Sequence, residues 1–112
     1  MAVLSPDEKL LAVAYGEPAV HGVAKVLEIE TGKEVFRADF DTTVSSIGFS
    51  PDGSQLAACS SALLGVKGEL KVRDYFTKEE LLYQQFDKKD YADVVFSPNG
   101  EQIAVATKKQ GD

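Results

Sequence analysis

Residues 49–60 read FSPDGSQLAACS; the same pattern returns at 96–107 as FSPNGEQIAVAT and stands earlier, at 4–15, as LSPDEKLLAVAY. Ser5, Ser50 and Ser97 head the three copies, at spacings of 45 and 47 residues. Self-similarity in this range marks propeller blades and related arrays, where each repeat is one supersecondary unit and neighbours stack to bury a shared core. Inside the block, the order Ser, Pro, Asp or Asn, Gly predicts a type I turn. Proline presets φ at the second position, and the glycine that follows takes positive φ at no steric cost. Each block therefore reads as a hairpin. The first copy has Glu8 in place of Gly53 and Gly100, so either that turn is of another type or a non-glycine residue carries left-handed strain of about 1 kcal/mol.

After the turn, Leu11, Leu56 and Ile103 align, followed by Ala12, Ala57 and Ala104, then Val13, Ala58 and Val105, then Ala14, Cys59 and Ala106. Both faces of this strand are apolar, and one is uniformly small. A half-exposed strand would alternate apolar with polar, so these strands are expected to be buried on both sides, with the small face admitting a closely packed neighbouring sheet. A second repeated unit follows. Residues 25–35, KVLEIETGKEV, align with 71–81, KVRDYFTKEEL, at an offset of 46. Each reads strand, turn, strand, with turns at 30–33 and 76–79 and final strands at 35–40 and 81–86. The central repeat is thus predicted to hold four strands, at 44–49, 55–60, 69–74 and 81–86.

The FSPDG block, the apolar strand after it, and a third strand closing on an apolar-acidic pair before a Thr-Gly-Lys turn together resemble the WD40 and WD40-like (PD40) β-propeller repeats, over nearly the whole chain. The family's Trp-Asp dipeptide falls on Leu27-Glu28 and Arg73-Asp74, so the acidic half is kept. Its Gly-His dipeptide has no counterpart at 40–43 or 86–90, which implies that packing holds these blades in place of a buried His-Asp network. The resemblance implies an all-β fold of four-stranded antiparallel blades, about two and a half repeats of an incomplete propeller. Residues 1–40 form a first blade with a short first strand, 41–86 a second, and 87–112 the opening hairpin of a third, all within one repeat domain. The function it implies is a non-enzymatic protein-protein interaction scaffold. Two rivals are a propeller belonging to a larger hydrolase or TolB-like protein, and a small-ligand or glycan binder using aromatics such as Tyr15, Tyr75 or Tyr91.

Composition narrows the partners. The chain of 112 residues carries 18 acidic and 12 basic side chains, net charge −6, with its cations scattered. Phosphate neutralisation has no concentrated source, which argues against nucleic acid. No run approaches the roughly 18 apolar residues of a membrane-spanning helix, and no basic and apolar leader precedes the first turn. The single Cys59 cannot form an internal disulfide, and the expected compartment is the cytoplasm. His21 is the only histidine, so neither a metal site nor a Ser-His-Asp arrangement is predicted. Gly65 and Gly68 lie between strands and do not open a helix, so no phosphate cradle follows. No catalytic residue and no cofactor is expected.

Binding is expected on the rim that carries the less regular connections, 16–22 and 61–68 together with 41–43 and 87–90, because loops on a rigid scaffold are where binding residues concentrate. The candidates there are Glu17, Pro18, His21, Leu63, Leu64, Val66 and Lys67. The alternative for Leu63 and Leu64 is that they extend the strand or fold back onto the blade. A four-bladed propeller needs roughly 160 residues at about 40 per blade, so the chain is expected to assemble with copies of itself, two to four chains, or to be a piece of a longer propeller. The edge offered to a second copy would carry Gln102, Ile103, Val105 and Thr107.

Overall fold

Three Ser-Pro turns built on the same bonds set the architecture. In each, the serine carbonyl accepts the N–H three residues on, from Glu8, Gly53 and Gly100, at 2.9 Å. The serine hydroxyl donates to the acid or amide two residues on, and accepts the N–H of Leu10, Gln55 or Gln102 at 3.0 Å. Buried Ser5 and Ser50 are thereby fully paired, which buried hydroxyls require. Glu8 has φ 61°, beside 77° at Gly53 and 74° at Gly100. The first turn is therefore of the same type as the others, and Glu8 bears the left-handed strain.

A computed structural model describes residues 1–62, 65–86 and 90–109, with 90–92 and 107–109 described by backbone alone. Among the described residues there is no helix. Strands β1 (Ala2–Leu4), β2 (Leu10–Glu17), β3 (His21–Glu28) and β4 (Glu34–Phe40) form one antiparallel sheet in sequence order. Strands β5 (Val44–Phe49), β6 (Gln55–Ser60), β7 (Gly68–Asp74) and β8 (Glu80–Phe86) form a second in the same order. β9 (Asp90–Phe96) and β10 (Ile103–Lys109) pair as a two-stranded ladder. β5 and β6 have the predicted bounds, and β7 and β8 each start one residue earlier. The register slips at Val26/Leu27 and again at Val72/Arg73, 46 residues later, so the repeat extends to its irregularities. This is an all-β architecture of four-stranded antiparallel sheets, compatible with WD40-like blades and not closed into a ring.

The sheets pack face to face, and β6 has one on either side. Leu56 and Ala58 join Ala12, Ala14, Val26, Phe36 and Phe40 in the core between the first two sheets, while Ala57 and Cys59 face Val94, Phe96 and Ile103 of the last ladder. Alternate side chains of a strand point to opposite faces, so two apolar faces need two neighbours, as the residue pattern predicts. Two lysines tie the second sheet to the first. Lys71 donates to the Asp39 carbonyl at 2.7 Å and lies 4.6 Å from the centre of the Phe40 ring. Lys78 donates to the Val35 carbonyl and lies 5.3 Å from the Phe36 ring centre. Both carbonyls belong to the outer strand of the first sheet, whose exposed polar edge is blunted in this way. The second sheet meets the ladder through the Ser46 hydroxyl, which donates to Asp93 at 2.6 Å and accepts from the Val94 N–H at 3.2 Å.

Candidate functional site

The rim singled out by the sequence is more regular than its glycines and proline suggest. Residues 16–22 read as an irregular connection, but β2 runs through Glu17 and β3 starts at His21, leaving a three-residue turn. The Val20 N–H bonds to the Glu17 carbonyl at 3.0 Å, with Pro18 second in the turn and Ala19 at φ 59°. The turn is held from below, since the Ala19 N–H donates to the buried Thr42 hydroxyl at 2.9 Å. Gly16 and Gly22 let the backbone of Thr42 and Thr43 approach where any side chain would collide. Glu17, Pro18 and His21 are exposed on this tight hairpin; nearby Val66 is half-buried and Lys67 exposed. Leu63 and Leu64 lie outside the described residues. At the other candidate edge, Gln102 is exposed, Ile103 packs partly into the core and Val105 is 39% exposed, while the side chain of Thr107 lies outside the description.

The opposite rim holds a cleft that the sequence reading did not single out. The β1–β2 turn, the β3–β4 turn and the β7–β8 turn enclose about 650 Å³ between the first two sheets. Leu10, Val35 and Tyr75 form its apolar floor, and Ile29 and Phe76 stand at its mouth. The walls are fixed by backbone bonds. The Ile29 N–H donates to the Lys9 carbonyl at 3.1 Å, joining the two turns of the first sheet. In the β7–β8 turn Asp74 accepts the N–H groups of Phe76 and Thr77, both at 3.0 Å, and Lys78 takes a left-handed φ of 66°. Asp74, which takes the acidic place of the resembling dipeptide, is thus a turn cap. Tyr75 is buried, packs edge-on against Phe49 with ring centres 5.9 Å apart, and donates its hydroxyl to the Gly53 carbonyl. Burial raises its pKa, as do the carboxylates of Asp7, Asp74 and Asp52.

The cleft has an acidic border. Asp7, Glu8, Glu28 and Glu30 line it against the two ammonium groups of Lys9 and Lys78, and Lys78 is already engaged with the Val35 carbonyl and the Phe36 ring. Asp7 is held below the usual carboxylate range by the Ser5 hydroxyl and then by the Lys9 N–H. Such a site can seat an apolar side chain and attract cations. Among the described residues no group of three His, Cys, Asp or Glu is placed to hold a metal. The signal available in the sequence was the Tyr75-Phe76 pair, two large aromatics in a turn where solvated residues are the norm. Of the other aromatics considered, Tyr15 is 44% exposed on the hairpin rim beneath Lys25, and the side chain of Tyr91 lies outside the description.

Fold and surface together define a class: a repeat-built, all-β protein of stacked antiparallel sheets with a cleft between two of them. No protein-family profile matches the chain. It is similar to eukaryotic translation initiation factor 3 subunit I of Scheffersomyces stipitis, 34% identical over 82 residues, covering 73% of this chain and 22% of that protein. The same subunit of Aspergillus terreus is 35% identical over 71 residues, covering 63% of this chain and 20% of the relative. That of Candida albicans is 30% identical over 82 residues, with 73% and 22% covered. The chain thus spans about a fifth of the length of the curated relatives it matches.

Proposed function

We propose that this chain is a non-enzymatic, cytoplasmic scaffold of WD40-like blades that binds other proteins and assembles with copies of itself. The observation that carries the reading is a sheet face whose counterpart within the molecule is covered. On β4, Phe36, Ala38 and Phe40 are buried beneath the second sheet. Their equivalents 46 residues on are Leu82, Gln84 and Phe86 of β8; Leu82 is 42% exposed and Phe86 only partly packed. Beside this face, β10 pairs on one side only among the described residues, with Val105 at its edge. An open strand edge next to an uncovered apolar face recruits another chain. A second copy brings strands of the same repeat, already matched to that face. The relatives are named as subunits of an initiation factor, which supports a role within an assembly; binding by the exposed rims is part of the proposal, on the ground that connections on a rigid scaffold are where binding residues concentrate. Light scattering at micromolar concentration is expected to report two to four chains per particle. Removing residues 91–112, or replacing Val105 by lysine, is expected to return single chains. A parent chain that melts cooperatively as a monomer overturns self-assembly.

A further inference from the structure

We propose that the cleft enclosed by the β1–β2, β3–β4 and β7–β8 turns docks an extended, basic segment of a partner protein, anchored by one large apolar side chain. The reading goes beyond the scaffold function by assigning a partner chemistry, and it does not require copies of the chain to assemble.

Shape gives the anchor. A cleft of about 650 Å³ with Leu10, Val35 and Tyr75 as its floor lies within the size range of sites that bury an organic group. Phe76 is 74% exposed and Ile29 49% exposed at the mouth, each at the equivalent place of its repeat's turn or next to it. Neither is used by the core that holds the sheets together. Exposed aromatics in preformed surroundings are the residues that carry binding energy when a partner covers them.

Charge gives the flanks. Four carboxylates against two ammonium groups leave the border negative, and Lys78 is spent on the molecule's own backbone and ring. A neutral ligand would fill the floor and leave the charges of Glu8 and Glu30 unanswered, whereas Asp7 and Glu28 also accept hydrogen bonds within their own turns. Lysine or arginine on either side of an apolar residue meets both features at once, and complementary potentials of this kind set specificity. The walls are tied by the Ile29–Lys9 backbone bond, the Asp74 turn cap and the Tyr75–Gly53 bond, so little ordering is needed on binding.

The test is fluorescence anisotropy of the full chain with a dye-labelled twelve-residue peptide, a central phenylalanine between two pairs of arginines in a glycine-serine background. The parent chain is expected to bind it, and to bind the peptides with glycine for phenylalanine or glutamate for arginine at least about fivefold more weakly. Phe76→Ala should weaken binding about tenfold, and the double variant Glu8→Lys, Glu30→Lys about fivefold. The double variant Asp39→Lys, Glu101→Lys makes the same charge change at exposed positions outside the cleft and should leave affinity as it was. Thermal melts confirm that each variant is folded, and light scattering reads assembly separately. A chain that is monomeric yet shows these variant effects supports the cleft and overturns only self-assembly. No binding by the parent, an unchanged affinity in Phe76→Ala, or an equal loss in the double variant Asp39→Lys, Glu101→Lys overturns the proposal.

Discussion

Replacing Gly22 with alanine tests whether close backbone approach, more than turn geometry, is what the rim glycines provide. Gly22 does not adopt a left-handed φ, so the effect is steric alone. A Cβ added there would meet the Thr42 carbonyl oxygen at 2.0 Å, its carbon at 2.9 Å and the Val44 nitrogen at 3.0 Å. All three are backbone atoms of the connection between the first two sheets, and the Thr42 hydroxyl is itself held by the Ala19 N–H. The connection can yield only by moving β5 or by breaking that bond. The expected cost is the upper end of an overpacking penalty, about 3 kcal/mol, which for a chain of this size lowers Tm by roughly 12 °C. Gly68, 46 residues on, is the internal control. Its added Cβ would meet mainly the Phe86 ring, at 2.2 and 2.5 Å, and the Ser60 carbonyl at 2.7 Å. The Phe86 ring borders an uncovered face and can swing away, so Gly68→Ala should cost less, about 1–2 kcal/mol. Urea unfolding followed by circular dichroism gives both values from the shift in midpoint. If Gly22→Ala lies within about 0.5 kcal/mol of the parent, a level typical of neutral surface changes, the rim does not depend on this approach and the packing argument is wrong.

Cys59 is fully buried, and burial, with a smaller push from Asp93, raises its thiol pKa to about 12; native protein should react with a bulky thiol reagent only at its unfolding rate. Cys59→Leu is expected to cost about 1–3 kcal/mol by overpacking against Val94 and Leu70, whereas Cys59→Ala should be mild. Glu8→Gly should raise stability by about 0.5–1 kcal/mol by relieving a left-handed glutamate, and a drop in the urea midpoint would count against the strain assigned to it. Asp52 is depressed to about 2 by the Ser50 hydroxyl first, then by the backbone and hydroxyl of Ser54. Because the folded value lies below the unfolded one of about 4, its contribution is complete above pH 4 and fades as pH falls through 2; in Ser50→Ala an NMR titration should find this carboxylate moved upward.

The repeat itself was fully legible. Turn chemistry is local, so three Ser-Pro blocks announce three hairpins. The all-β architecture and the bounds of β5 and β6 followed from residue order, and apolar residues on both faces of β6 announced two covering neighbours. The type of the first turn stayed open until the φ of Glu8 decided it, because a glutamate there signals either outcome. Residues 16–22 looked like a loose loop because glycine and proline are also loop residues. Only the position of Thr42 and Thr43, some twenty residues along the chain, shows that these glycines admit backbone. The cleft was hidden for the same reason. Its floor and mouth come from three turns and the ends of β2 and β4 beside them, which the sequence places far apart, and Tyr75 and Phe76 become parts of one site only when the second sheet stacks on the first. A sequence determines what each turn and strand can be, since those bonds lie within a few residues. Which surfaces meet, and so which side chains share a cleft, is decided by the packing of one repeat against the next.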